Sequence, residues 1–298
     1  MCATCGCDSN GTTTMHDPHV HEHQHEHQSA NPPIRQSANG NDHTDNRKIV
    51  EVEKDILYQN TLLAERNRGY FDAKNIFALN LVSSPGSGKT SLLEKTLLDC
   101  KEYFSSYVIE GDQQSTRDAD RIHATGTPVV QINTGKGCHL DAHMVLHALQ
   151  HMKPKENTVM FIENVGNLVC PAMFDLGESK RVVIASVTEG DDKPLKYPDM
   201  FQSAQLCIIN KTDLLPYVPF DVEAFRSNAL KINPPLEFIE VSALKGDGMN
   251  RWYAWIEKHL LPIESAIRNP QSAIPEGESS IPEGVSAYSP IRQSPNSA

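Results

Sequence analysis

Apolar and polar positions follow two regular periods between about residues 48 and 262, and no period on either side. The stretch "IVEVEKDILYQNTLLAERN" spaces Ile49, Val52, Ile56 and Leu63 as one face of a helix, which predicts an amphipathic leading helix. Short runs dense in Val and Ile follow: "IFALNLVSS", "SYVIEGD", "PVVQINT", "TVMFIENVG", "RVVIASVTEG", "LCIINKTD" and "EFIEVSA". They read as strands covered on both faces. Helix-period stretches separate several of them, among them "KTSLLEKTLLDC", "CHLDAHMVLHALQ" and "MNRWYAWIEKHL". This alternation predicts an α/β domain with a mostly parallel sheet flanked by helices, its ligands at the strand ends.

The two flanks differ in composition. Residues 1–47 are mostly His, Asn, Gln, Ser, Thr and Asp, with three cysteines in the first seven residues. Residues 263–298 are rich in Pro, Ser, Gly and Glu, and "IPEG" occurs there twice. Neither flank carries enough apolar surface to offset the entropy of ordering, so both are expected to be disordered. The expected organisation is a Cys/His-rich arm over 1–47, one folded domain over 48–262 and a tail over 263–298.

Charge narrows the partners. The 298 residues carry a net charge of −11, which argues against nucleic acid. No apolar run is long enough to span a bilayer, so no membrane insertion is expected. The start of the chain lacks the basic and apolar pattern of a secretory signal, which predicts a cytoplasmic location. In that reducing setting, clustered cysteines point to metal or redox chemistry rather than to disulfides.

The first predicted strand runs into "SSPGSGKTS", which matches the phosphate loop G-x-x-x-x-G-K-S/T except that Ser83 replaces the first glycine. Gly86, Ser87 and Gly88 let backbone N–H groups face a phosphate. Lys89 brings a cation to the β and γ phosphates, and Thr90 and Ser91 open the following helix. "NKTD" then ends another strand with Asn210, Lys211 and Asp213. A carboxylate accepts from the two adjacent donors of guanine, and adenine offers no such pair. Ser242 and Ala243 in "VSALKG" follow the last strand, where their backbone meets the base. Together these motifs specify GTP. Mg²⁺ is expected on the Thr90 hydroxyl with Asp112 and Glu163, two acidic strand ends. Gly166, three residues past Glu163, stands where many GTPases sense the γ-phosphate.

Cys138, His139 and Cys170 lie beside this machinery, and His143, His147 and His151 follow His139 at helical spacing. Thiolate with imidazole suits Ni²⁺ or Zn²⁺. Cys138, His139 and Cys170 are the expected ligands, with His143, water or a second subunit as the fourth. His147 and His151 read as a partly exposed helix face. Cys100 and Cys207, inside apolar runs, read as buried hydrophobes. Cys170 falls just after the γ-phosphate sensor and Cys138 at the end of a strand expected to neighbour it, so the ligand set is split between a moving and a fixed element.

"SSPGSGKTS", "EGDQQ", "GKGCHLDAHM", "ENVGNLVCP", "NKTD" and the opening "CATCGC" together resemble the hydrogenase nickel-incorporation GTPases of HypB type. The resemblance covers roughly residues 48–262 and the cysteine-rich start. It implies a GTP-promoted homodimer that helps deliver nickel to the precursor of the nickel–iron hydrogenase large subunit. The implied partners are a zinc-binding accessory protein of HypA type and a nickel storage or prolyl-isomerase protein. It further implies a GTPase-domain metal site on Cys138, His139 and Cys170, and an N-terminal nickel site on Cys2, Cys5 and Cys7. The histidines from His16 to His27 would then serve as a weaker reservoir. Two alternatives differ in class. A urease-accessory GTPase would carry Cys-Pro-His, whereas "VCPAM" has no His. A nickel-storage protein with a regulatory nucleotide domain would turn over GTP negligibly.

Overall fold

The computed structural model describes residues 14–16, 42–113, 117–135 and 137–268. Cys2, Cys5, Cys7, the histidines from His19 to His27 and the tail past Arg268 lie outside the described residues. An eight-stranded sheet runs in the order β1 (Thr14–His16), β4 (Val129–Asn133), β3 (Ser106–Asp112), β5 (Thr158–Glu163), β2 (Ile76–Ser83), β6 (Lys180–Ser186), β7 (Leu206–Asn210) and β8 (Glu237–Glu240). The seven runs read as strands are β2 to β8, and all of them pair in parallel.

β1 departs from expectation. Three residues of the arm pair antiparallel with β4, Thr14 opposite Asn133. An edge strand presents unpaired backbone groups that any extended segment can meet, and three residues are too few to leave a period in the sequence.

The helices are α1 (Asp42–Ala73), α2 (Lys89–Cys100), α3 (Arg117–Ala124), α4 (Ala142–Met152), α5 (Cys170–Met173), α6 (Lys193–Lys196), α7 (Pro198–Ser203), α8 (Val222–Ile232) and α9 (Met249–Arg268). Among the described residues no helix is long and apolar enough to cross a membrane. Successive strand residues point to opposite faces, and here both faces are covered. Leu79, Leu81 and Phe161 pack against Leu92, Leu93 and Leu97 of α2 and Trp252 and Ile256 of α9. Ala78, Met160 and Ile162 face the other way, onto Phe71 of α1 and Val145 and Leu149 of α4. That two-sided burial explains the unbroken apolar runs.

Topology then fixes where ligands can sit. The chain leaves β2, passes β5 and enters β3; it leaves β5, crosses β2 and enters β6. The connections diverge around β2 and β5, opening a crevice at their carboxyl ends. β3 stands between β4 and β5, so the strand before Cys138 does not neighbour the one before Cys170. The start of α4 also differs. The Asp141 side chain accepts from Met144 N at 2.8 Å and caps the helix, which leaves Cys138 and His139 on a loop.

Candidate functional site

The turn between β2 and α2 is held open by two glycines. Gly86 and Gly88 have φ of +75° and +90°, a region that side chains disfavour. A Cβ on Gly88 would also come 2.6 Å from Asn210 Nδ2. Ser83, by contrast, is not among the residues with positive φ. It is buried, and its hydroxyl donates to the Ser84 carbonyl at 2.7 Å. No glycine is needed there, which accounts for the imperfect motif.

Glu163 meets the head of α2. Its Oε1 accepts from the Thr90 hydroxyl at 2.6 Å and lies 3.5 Å from Lys89 Nζ. Burial raises its carboxyl above the ordinary value, against the pull of Lys89 and Thr90. Glu110 lies opposite Glu163 in the β3–β5 register. Burial, with the charges of Glu163 and Asp112 beside it, pushes Glu110 up to about 9. Each glutamate keeps a buried Oε2 with no hydrogen-bond partner among the described residues. Orphaned carboxylate oxygens beside a hydroxyl form an oxygen-donor set that fits Mg²⁺. Asp112 ends β3; its Oδ1 accepts from Gln113 N at 2.6 Å and its carbonyl from Thr134 N at 2.9 Å. The Ser91 hydroxyl accepts from Arg121 of α3 at 3.0 Å.

The residues of "NKTD" divide their work. Asn210 Nδ2 donates to the Ser87 carbonyl at 2.9 Å, and Lys211 Nζ donates to the Gly86 carbonyl at 2.7 Å. These two side chains clasp the phosphate loop. Asn210 Oδ1 also accepts from Ala243 N at 3.2 Å, and the Ser242 hydroxyl donates to Asp213 Oδ1 at 2.6 Å. The motifs after β2, β7 and β8 therefore form one connected edge.

Two residues at this edge were not singled out from the sequence. Glu189 accepts from the Ser87 hydroxyl, and Lys193 donates to the Ser84 hydroxyl at 2.6 Å. They also pair with each other at 3.1 Å. With Pro85, Gly166, Asn167 and Tyr197 they line a cavity of about 390 Å³ between the phosphate loop and the loop after β5. Their i,i+4 spacing foretells the pair, but nothing local foretells its target.

The thiols lie on the far side of that second loop. Cys138 Sγ and Cys170 Sγ are 2.8 Å apart, and Cys138 Sγ is 3.7 Å from His139 Nδ1. The donor atoms of Cys138, His139 and Cys170 all fall within 4.8 Å of one another. The His139 ring stacks on Phe174 at 4.0 Å, which fixes its plane. Burial lowers the His139 pKa despite nearby Asp141, favouring the neutral imidazole that ligates metals. His143 stands outside this group and meets His147 instead, Nε2 to Nε2 at 3.0 Å. Cys100 and Cys207 are buried, and burial pushes both thiols upward, Cys100 to about 11.

The loop from Asn164 to Val169 touches both sites. Gly166 packs so closely on Pro85 of the phosphate loop that a Cβ would fall 3.1 Å from Pro85 Cα. Asn164 Oδ1 accepts from Leu140 N at 3.1 Å, and Asn167 Nδ2 donates to the Cys138 carbonyl at 3.3 Å. Neither asparagine was singled out from the sequence.

The sequence model described as "CobW/HypB/UreG, nucleotide-binding domain" matches residues 77–240. The hydrogenase maturation factor HypB of Rhizobium leguminosarum bv. viciae is 59% identical over 210 residues, 70% of each chain. The chain belongs to the HypB family. The HypB of Escherichia coli (strain K12) is 47% identical over 285 residues, covering 86% of this chain and 98% of that one. Among solved structures, HypB from Helicobacter pylori in complex with nickel superposes with a TM-score of 0.65 at 37% identity, covering 68% of this chain and 95% of that one. Both sequence relatives are named hydrogenase maturation factors.

Proposed function

We propose that the chain is a GTP-hydrolysing nickel carrier for hydrogenase maturation, in which the nucleotide acts on the metal through the segment Glu163–Cys170. The observation that carries this reading is one of adjacency. Glu163 holds Thr90 and Lys89, and the next residue, Asn164, holds the backbone N–H of Leu140, the residue directly after Cys138–His139.

GTP seated on the Gly86–Gly88 turn competes with Glu163 for Lys89 and Thr90. Lys89 serves the β and γ phosphates. Thr90, Asp112 and Glu163 would hold Mg²⁺, which when bound neutralises phosphate charge. Asp213, with Ser242 and Ala243, reads the guanine edge. Displacement of Glu163 carries Asn164 with it, and Asn164 and Asn167 pass the movement to the Cys138 loop. Cys138, His139 and Cys170 are the three donors for Ni²⁺, with Zn²⁺ as the other occupant their chemistry allows. A GTP-promoted homodimer would bring two such sets together. Nickel arrives from the arm, where Cys2, Cys5 and Cys7 form the tighter site. The chain works in the cytoplasm with a zinc-binding protein of HypA type and a nickel storage or prolyl-isomerase protein, and delivers to the hydrogenase large-subunit precursor.

The test is nickel release from the full chain to that precursor with GTP, with GDP and with a non-hydrolysable analogue. Release that depends on nucleotide supports the proposal. Equal release in all three arms removes the GTPase from the delivery step and favours a storage protein.

A further inference from the structure

The thiol cluster is built from two separate pieces of chain. Cys138 and His139 lie on the loop before α4, and Cys170 opens the segment that runs on through Phe174 to Gly177. Along the chain 32 residues separate the two thiols, so their contact at 2.8 Å has to be set from outside.

Two amides of α1 reach both pieces. Asn60 and Asn67 stand seven residues apart, about two turns, and so share one helical face. They are only 7% and 0% exposed. Asn60 Oδ1 accepts from Ala142 N at 2.8 Å, while its Nδ2 donates to the Asp175 carbonyl at 2.8 Å. Asn67 Nδ2 donates to the Ala142 carbonyl at 2.8 Å and to the Leu176 carbonyl at 3.1 Å. Ala142, at the head of α4, is therefore held at both its N–H and its carbonyl. Phe174, next to Asp175, carries the stacked ring of His139. A Cβ on Gly177 would come 2.8 Å from Asn67 Cβ, so glycine is what lets this segment lie against α1.

Stability alone does not account for Asn67. Its Oδ1 is buried with no hydrogen-bond partner among the described residues, a costly state for an amide. An apolar side chain would avoid that cost but could not bridge the two carbonyls.

We propose that Asn60 and Asn67 are positioning residues for the cluster of Cys138, His139 and Cys170, holding its two halves at contact distance. Their effect on nickel rests on the reading of those three residues as metal donors; their effect on the thiols does not.

The probe is arsenite, which condenses with two neighbouring thiols and releases two waters, with no change of oxidation state. Protection of Cys138 from alkylation is measured on the metal-free full chain. Mass spectrometry of the peptide carrying Cys138 keeps the N-terminal cysteines out of the signal. In Asn60→Ala and Asn67→Ala the arsenite concentration for half-protection should rise by about 5- to 150-fold, the range for energetically linked sites. Asn60→Asp keeps the acceptor for Ala142 N but sets a carboxylate against the Asp175 carbonyl, and it should show the same rise while preserving the helix cap. Asn233→Ala is the matched control. Asn233 is also buried and donates to the carbonyls of Phe201 and Ala204 at 2.9 and 2.8 Å, so its loss should lower the Tm and leave half-protection unchanged. Unchanged half-protection in the folded Asn60 variants would overturn the proposal, and so would an equal rise in Asn233→Ala. Nickel is titrated in the same variants. A shift for arsenite with none for nickel would support the positioning role and remove Cys138, His139 and Cys170 as the nickel donors proposed above.

Discussion

Asn164 Oδ1 accepts the Leu140 backbone N–H at 3.1 Å, one peptide away from Glu163, whose Oε1 receives the Thr90 hydroxyl at 2.6 Å. A single strand end therefore serves the phosphate loop and the thiol loop. Behind it the network is buried and polar: Asn164 donates to Asn80 at 3.3 Å, Asn80 to Glu178 at 3.1 Å, and Glu178 pairs with Arg181 at 2.8 Å. Burial alone would raise the Glu178 carboxyl, but Arg181 and Asn80 hold it below its ordinary value. In the proposed coupling, a displacement of Glu163 would reach Leu140 through this buried network, where no solvent stands between the partners.

Asn164→Ala should uncouple the two sites. It strips the acceptor from the N–H groups of Leu140 and Val165, at about 1–3 kcal/mol for each group left unsatisfied. The expected result is a lower Tm, near-normal binding of a GTP analogue, and no change of that binding on adding nickel. Calorimetric titration with and without nickel checks this. A variant that folds and still responds to nickel would exclude Asn164 as the route.

Lys89→Ala should abolish GTP hydrolysis while leaving nickel binding by Cys2, Cys5 and Cys7 intact. The ammonium lies 3.5 Å from Glu163, so its loss also leaves a buried carboxylate uncompensated. Phosphate release and nickel stoichiometry, measured on the same sample, check both halves. Undiminished hydrolysis would place the phosphates elsewhere.

Asp213→Asn should weaken GTP binding by about 1–3 kcal/mol, roughly 5- to 150-fold, because the amide turns a donor towards guanine's donors. Xanthosine triphosphate, with an acceptor at that edge, should lose less or gain. Competition binding of the two nucleotides is the measurement. Unchanged affinities would mean that Asp213 and Ser242 serve only each other.

Glu110 sets a pH dependence. Its carboxyl is pushed from 4.5 up to about 9, so the folded state keeps a proton that the unfolded state releases. Stability is highest below the unfolded value and declines as pH rises towards about 9, by about 1.4 kcal/mol per pH unit at most. Glu110→Gln should flatten that slope and be the more stable protein at pH 8. Urea unfolding at pH 6 and pH 8, free of nucleotide and Mg²⁺, tests it. Identical slopes in the two proteins would show that Glu110 gives up its proton.

Strands β2 to β8 were legible because burial on both faces writes continuous Val/Ile runs into the sequence. The phosphate loop and "NKTD" were legible because their chemistry fixes local spacing. Cys138, His139 and Cys170 could be grouped by ligand type together with their places beside the nucleotide motifs and the family resemblance, although 32 residues separate the two thiols. What escaped depends on distant partners. Asn164 and Asn167 reach back 24 and 29 residues to the thiol loop, and Glu189 and Lys193 reach 102 and 109 residues to the phosphate loop. Polar residues in "ENVGN" or "TEGDDK" look like ordinary strand ends until the sheet brings their targets alongside. The row of histidines from His139 was misjudged at its start, because a cap at Asp141 delays the helix.

The central claim is that nucleotide state and metal affinity are one linked equilibrium, and a nickel titration of the GDP-bound and GTP-analogue-bound protein tests it most directly. With the N-terminal cysteines filled first, the second binding step reports Cys138, His139 and Cys170. The account predicts affinities that differ between the two forms by about 5- to 150-fold, with the same factor recovered in nucleotide affinity when metal is added. Cys170→Ala should abolish that step while nucleotide binding survives. Equal nickel affinity in both forms, with an unchanged dimer fraction, would contradict the account.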